Sequence, residues 1–274
     1  GGSVIVTDLK RENYAATAAY RSRMSVVLCF DPSSQQSHTF NPLLEIRPGA
    51  EEVGDTQNLV SMLVDPDGTT DPSDHWRNAA KSLLLGVVLH VLYSGSDKSL
   101  AGVSSFLSSA KDDLPGLLGK MLNTPHRADG THPVVASVVG EMLPKTPKEL
   151  SGVASTALTL LELYRDPVVA ENTRTSDFRI SDLMNAAHPV SLYLCVPPSQ
   201  QTRLRPLIRL LLQQLCRGLM QDHGVKPKHR MLMVMDEFPS FGKMEFFESC
   251  LAFTPGYGIK ALIVAQSMNQ LEKA

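Results

Sequence analysis

The sequence contains no G-x-x-x-x-G-K-[ST] phosphate loop, no paired-cysteine motif, no zinc-type histidine spacing and no apolar run long enough to span a bilayer. A phosphate loop holds a nucleotide with a nest of backbone N–H groups and a lysine. The two nearest strings fail that pattern. Gly116-Leu117-Leu118-Gly119-Lys120-Met121 is too short between its glycines and ends in methionine, and Gly242-Lys243-Met244 lacks the upstream glycine. The four cysteines, Cys29, Cys195, Cys216 and Cys250, are far apart with no C-x-x-C, so they read as reduced core thiols. The eight histidines form neither H-x-x-x-H nor H-E-x-x-H, which argues against a zinc site. The most hydrophobic region, 79–93, is broken by Lys81 and His90 and falls short of the roughly 20 apolar residues that a spanning helix needs. It is predicted to be a buried helix. Gly1, Gly2 and Ser3 lead straight into a strand pattern, so no secretory leader is expected. Net charge is nearly balanced, at −2 over 274 residues, which excludes a surface broadly coated for nucleic acid and leaves only local contacts.

What is present divides by periodicity. A hydrophobic content of 43% supplies a core for one large or two ordinary domains. Residues 4–7 and 26–30 are short β-branched runs closed by Asp8 and Asp31, with a helical stretch at 13–21 between them, which makes one βαβ unit. From 54 to 166 strand signals nearly vanish. Helical patterns cover 53–63, 74–93, 99–109, 114–122, 132–142 and 148–163, with Asp74 and Ser99 as cap candidates. Loops such as Asp65-Pro66-Asp67-Gly68 and Thr124-Pro125-His126 interrupt them. This all-helical insert has 13 acidic against 9 basic residues, a balance that repels a phosphate backbone on average. Protein docking is the expected use of its surface.

The α/β pattern returns at Phe178. A strand at 190–196 is stopped by Pro197-Pro198-Ser199, and 203–221 reads as an amphipathic helix with Leu204, Leu207, Ile208, Leu211, Leu212, Leu215 and Leu219 facing the sheet. On its other side Arg205, Arg209, Gln213 and Arg217 recur every four residues. They are either a solvated face or a basic lining that meets a neighbouring subunit.

The densest signal lies at 230–271. Residues 231–235 are a continuous apolar run, as in a parallel strand covered on both faces, followed by Asp236 and Glu237. Residues 259–265 read as a second buried strand delivering Gln266 to the same carboxyl edge, where open α/β sheets bind ligands. In nucleotide motors an acid at this place holds Mg²⁺ and a following Glu can polarise the attacking water. Gln266 would sense the γ-phosphate or orient that water. The plainer alternative is an Asp-Glu pair capping the next helix.

DEFPSFG, LAFTPGYGIK and VAQSMNQL, preceded in order by SVIVTDLKREN, FNPLLEIRPG, HWRNAAKSLLLGVVLHVLY and FRISDLMNAAHPVSLYLCVPPS, resemble the TraG-type coupling ATPases of bacterial type IV secretion and conjugation (the TraG/TraD family) over nearly the whole chain. The resemblance implies a RecA-like P-loop NTPase with a mostly parallel α/β sheet and an all-α inserted domain, divided at 1–53, 54–166 and 167–274. It implies a hexameric ATPase using ATP and Mg²⁺, anchored in the bacterial inner membrane with this part on the cytoplasmic face. Such a motor receives a relaxase on single-stranded DNA, or protein effectors, and passes them to a secretion channel. Asp236 falls to magnesium, Glu237 to water and Gln266 to the phosphate. A ring ATPase commonly takes an arginine in trans, for which Arg203, Arg205, Arg209 and Lys260 are the candidates. Arg11 stands where the family turn Asp-x-Lys-Gly-Glu has glycine. The missing phosphate loop and the abrupt start imply a fragment of a longer protein. The rival expectation is a non-catalytic receptor that docks relaxase or effector through the helical domain.

Overall fold

The computed structural model describes residues 2–66, 71, 73–109, 113–221, 226–242, 244–267 and 269. Gly1, Asp67, Gly68 and Lys243, named above, lie outside them. Backbone contacts divide the chain into two compact units, one formed by residues 1–40 with 176–274 and the other by 41–175. The helical unit therefore takes in 41–53 and 167–175 as well as the segment whose periodicity marks it as helical.

The first unit is a five-stranded sheet in the order β2-β3-β1-β4-β5, every pair parallel. The strands are β1 (Ser3–Asp8), β2 (Val26–Phe30), β3 (Val190–Cys195), β4 (Met231–Met235) and β5 (Ile259–Ile263). Parallel pairing requires crossovers, supplied by α1 (Glu12–Arg21), α10 (Gln201–Leu219) and α11 (Glu245–Leu251), with short α9 (Asp182–Asn185) leading into β3. Chain direction across the sheet reverses between β1→β2 and β3→β4. Right-handed crossovers then place α1 on one face and α10 with α11 on the other.

That asymmetry explains the burial. Ile5, Met231, Met233 and Met235 are buried, whereas Leu232 is 39% exposed and Leu262 52% exposed. On the α1 side, Val4, Val6, Leu232 and Val234 floor a cavity of about 770 Å³. The expectation that 231–235 and 259–265 are covered on both faces is thus corrected: β4 alternates, and β5 is an edge strand with only Ile259 buried. An unbroken apolar run does not distinguish a doubly covered strand from an edge strand.

The second unit is helical: α2 (Glu52–Val64), α3 (His75–Ser94), α4 (Leu100–Ser108), α5 (Leu114–Asn123), α6 (Pro133–Met142), α7 (Pro147–Leu160) and α8 (Pro167–Asn172). Capping sets the starts. The Asp74 carboxylate accepts from Arg77 N at 3.0 Å, and Ser99 Oγ accepts from Gly102 N at 3.1 Å, each satisfying an orphan first-turn donor. Asp113, Thr146 and Asp166 repeat the device, with Pro in the first turn each time. α3 forms the axis of the unit, with Leu83, Leu84, Val87, Val88 and Leu89 fully buried. α2, α6 and α7 pack around it.

Below α3 lies a buried polar network. Glu52 is 3% exposed and accepts from Tyr93 Oη at 2.7 Å, His132 Nε2 at 3.1 Å, Gly49 N at 3.3 Å and the Arg127 guanidinium. Burial alone would raise its pKa, but these donors hold it at about 2. Beside it His90 Nδ1 meets His126 Nε2 at 2.8 Å.

Candidate nucleotide site at the carboxyl edge of the sheet

All five strands point the same way, so their carboxyl ends form one edge. It gathers Asp8 after β1, Asp31 after β2, and Asp236 and Glu237 after β4. Asp8 and Asp31 are almost fully buried, and each has local partners. Asp8 Oδ2 accepts from Tyr14 N at 2.6 Å, and Asp31 Oδ1 from Ser33 N at 3.0 Å and Ser33 Oγ at 2.7 Å. These bonds close the turns into the following segments.

Asp236 is half-buried. Its carbonyl accepts from Thr7 Oγ1 at 3.0 Å, and its carboxylate Oδ2 accepts from Asn13 Nδ2 at 3.1 Å. One oxygen is thereby fixed and the carboxylate oriented. Glu237 follows with φ 51° and ψ 40°, a left-handed conformation that costs a non-glycine residue roughly 1–2 kcal/mol. The turn reverses the chain so that Phe238 N can donate to Val264 O at 3.2 Å. Gln266 Nε2 then donates to Glu237 Oε1 at 2.5 Å. The structure therefore brings Asp236, Glu237 and Gln266 to one edge and adds Asn13, which the sequence reading passed over. The signal for Asn13 was its place in the first turn of α1, directly after the family turn motif.

Arg11 has φ 57° and ψ 17°. The turn that takes glycine in the family keeps its left-handed geometry here with an arginine, whose guanidinium lies 3.9 Å from Asp31 and 5.6 Å from the Tyr14 ring centre.

The four cationic candidates separate. Arg203, exposed and bonded to Gln200 at 2.9 Å, and half-buried Arg205 stand in the first turns of α10, which starts at the carboxyl edge. Arg209 is 5% exposed and donates to Phe241 O at 2.5 Å. Arg209 thus braces the turn after Glu237, and its reading as part of a solvated or subunit-facing stripe is corrected. The physical reason is that α10 is buried over more than one side: Leu210, Gln214 and Cys216 are buried as well as the expected leucines. Lys260 pairs with Leu232 near the start of β5, at the opposite end of the sheet. All four cysteines are free and buried, with Cys29 and Cys195 sulfurs 3.5 Å apart.

Among the described residues no group of three or more His, Cys, Asp or Glu is arranged to hold a metal ion. One oriented carboxylate is what Mg²⁺ needs from a protein when phosphates and water fill most of its octahedron. Asp236 fits that demand. The backbone nest for the phosphates is not encoded in these residues.

A parallel sheet of this topology with acids at its carboxyl edge is that of a RecA-like P-loop NTPase domain. The chain belongs to the family described as type IV secretory system conjugative DNA transfer, whose model matches residues 1–274. It is 43% identical over 287 aligned positions to the conjugal transfer protein TraG of Escherichia coli, covering 99% of this chain and 45% of that protein. It is 27% identical to the protein VirD4 of Rhizobium radiobacter, covering 98% of this chain and 39% of the other. The chain thus spans less than half of each relative. Among solved structures, the plasmid coupling protein TrwB in complex with ADP and Mg²⁺ superposes with a TM-score of 0.66 at 18% identity, covering 98% of this chain and 65% of that one.

Proposed function

We propose that this chain contributes the magnesium and water half of an ATPase site, together with a helical docking lobe, to a coupling protein of a type IV secretion or conjugation system. The carrying observation is the Asn13–Asp236 and Glu237–Gln266 pair of hydrogen bonds at one sheet edge. Asp236, held by Asn13, keeps one oxygen directed for the ion. Asp236 is the residue that would hold magnesium, which when bound would supply charge neutralisation for phosphoryl transfer. Glu237 is the base that accepts a proton from the attacking water, and Gln266 fixes its carboxylate and leaves when a γ-phosphate competes for the amide. Arg203, exposed at the same edge, is the leading candidate for a cation offered to a neighbouring subunit of a homo-hexamer. On this reading the whole protein sits at the cytoplasmic face of the bacterial inner membrane and delivers relaxase-bound single-stranded DNA, or effector proteins, to the secretion channel. No helix among the described residues is long and apolar enough to cross a membrane. The acidic helical unit is assigned to relaxase or effector docking.

The test is Glu237→Gln in the full-length protein. ATP and magnesium binding should persist and turnover should fall by about a hundredfold or more, the usual worth of a general base. Asp236→Ala should weaken magnesium-dependent nucleotide binding as well. Normal turnover by Glu237→Gln would reject the site and leave the receptor reading.

A further inference from the structure

Glu237 holds a backbone conformation that its own side chain does not favour. Its φ of 51° lies in the left-handed region, which glycine and asparagine enter far more readily than a residue with a longer side chain. Its neighbours must therefore impose it. The start of the turn is fixed by the sheet: Val264 N donates to Met235 O at 3.0 Å and Phe238 N to Val264 O at 3.2 Å. Within the turn, Ser240 N donates to Glu237 O at 2.8 Å and Gly242 N to Pro239 O at 3.1 Å. Phe238 and Phe241, its two ends, are buried.

The far end of the turn is held by α10. Gln201 and Arg209, about two helical turns apart, converge on consecutive carbonyls: Gln201 Nε2 donates to Ser240 O at 3.5 Å and Arg209 Nη1 to Phe241 O at 2.5 Å. Arg209 stands in sequence between buried Ile208 and Leu210 and is itself 5% exposed, a setting in which a guanidinium gives up most of its hydration. Its bond to Phe241 O is charge-assisted and correspondingly strong. Gly242 completes the arrangement. At φ 72° and ψ −172° it occupies a region open essentially to glycine alone, and a β-carbon there would lie 3.3 Å from Arg209 Nη1. Two separate features, a buried cation and a glycine-only bend, thus serve the same few atoms just after Glu237.

Taking Glu237 as the base of the proposed ATPase site, we propose that Arg209 is its positioning residue. By fixing the Phe241 carbonyl, with Gly242 leaving room for the guanidinium, Arg209 locks the turn so that the Glu237 carboxylate stays where Gln266 meets it. Released at its far end, the turn lets Glu237 relax to a right-handed backbone, which redirects its side chain. A base works only within hydrogen-bond reach of the proton that it takes, and a displacement of about 1 Å can cost as much as about a hundredfold in rate. Asp236 is held independently, by Thr7 and Asn13. Loss of the latch therefore strikes the base and spares the magnesium ligand.

The experiment compares ATP turnover by the full-length protein carrying Arg209→Met, Glu237→Gln or both. Arg209→Met should lower kcat about tenfold or more, while the KM for ATP and the magnesium concentration giving half-maximal rate stay within about twofold of wild type. In the Glu237→Gln background the same substitution should change the residual rate by less than about twofold, since no base is left to misplace. Gly242→Ala, which leaves the arginine in place, should reproduce both results and carries the comparison where Arg209→Met fails to fold. A further loss in the Glu237→Gln background as large as in wild type would show that Arg209 only holds the fold, and overturns the proposal. So does wild-type kcat in both Arg209→Met and Gly242→Ala. The two readings fail separately. Normal turnover by Glu237→Gln rejects the base itself, whereas an inactive Glu237→Gln beside a fully active Arg209→Met rejects only the latch.

Discussion

Acid should weaken the helical unit before buried Glu52 protonates, and His90 is the reason. Its ring is 3% exposed, and burial first, then His126 and Lys120, depress its pKa from 6.5 to about 4. Hydrogen bonds define the neutral form. His126 Nδ1 accepts from His132 N at 3.2 Å, so His126 Nε2 carries the hydrogen given to His90 Nδ1. His90 Nε2–H then reaches Ser94 Oγ at 3.1 Å. Adding a proton to His90 Nδ1 would set two hydrogens against each other across 2.8 Å. Because the folded pKa lies below the unfolded one, the stabilisation is complete above pH 6.5 and is lost as pH falls from 6.5 towards 4. Linkage with those two values gives a loss of about 2 kcal/mol between pH 7 and pH 5, to which His126, shifted the same way, adds. Trp76 is the only tryptophan and lies on α3 with His90. Urea unfolding followed by its fluorescence therefore reports on this unit. His90→Gln, which cannot titrate, should shrink the pH 7 to pH 5 difference by at least about 1 kcal/mol, whatever it does to stability at pH 7. An undiminished difference in the variant would show that the acid sensitivity arises elsewhere.

Arg11→Gly should be more stable than Arg11→Ala by about 1 kcal/mol in thermal melts, because both variants give up the interactions with Asp31 and Tyr14 and only glycine relieves the left-handed backbone; the opposite order would refute that account. Arg209→Met should cost about 2 kcal/mol, the worth of a charged hydrogen bond, and should speed amide exchange across 238–242, whereas unchanged exchange there would mean that Phe241 needs no brace. Glu52→Gln should remove the stability loss expected as pH falls from 4.5 towards 2, since its depressed pKa makes the ionised form the stabilising one; acid unfolding that is unaltered over that window would disprove it.

The sequence made the parallel sheet readable because four of its five strands are short apolar runs ended by an acid or by proline, and the helices of the second unit readable through periodicity and capping residues. The helical starts near Asp74 and Ser99 fall where those side chains accept from the third residue on. Local signals missed the α8 turn, six residues long and begun by Asp166-Pro167, since so short a helix has hardly one period of hydrophobic repeat. They also missed the true setting of β5. Its residues are as apolar as those of a central strand, and only the pairing order reveals that nothing among the described residues lies beyond it.

The site was legible in type more than in wiring. Asp236 and Glu237 announce themselves by following a strand, but the partner that orients Asp236 lies 223 positions away in sequence, and no local pattern encodes such a pairing. Arg209 shows the opposite failure. A four-residue recurrence of basic side chains is what a solvated helix face produces, yet one member is drawn inside because Phe241 leaves a carbonyl at the end of a tight turn. A buried carbonyl without a donor costs about as much as a broken hydrogen bond, so the arginine is explained by the backbone it serves.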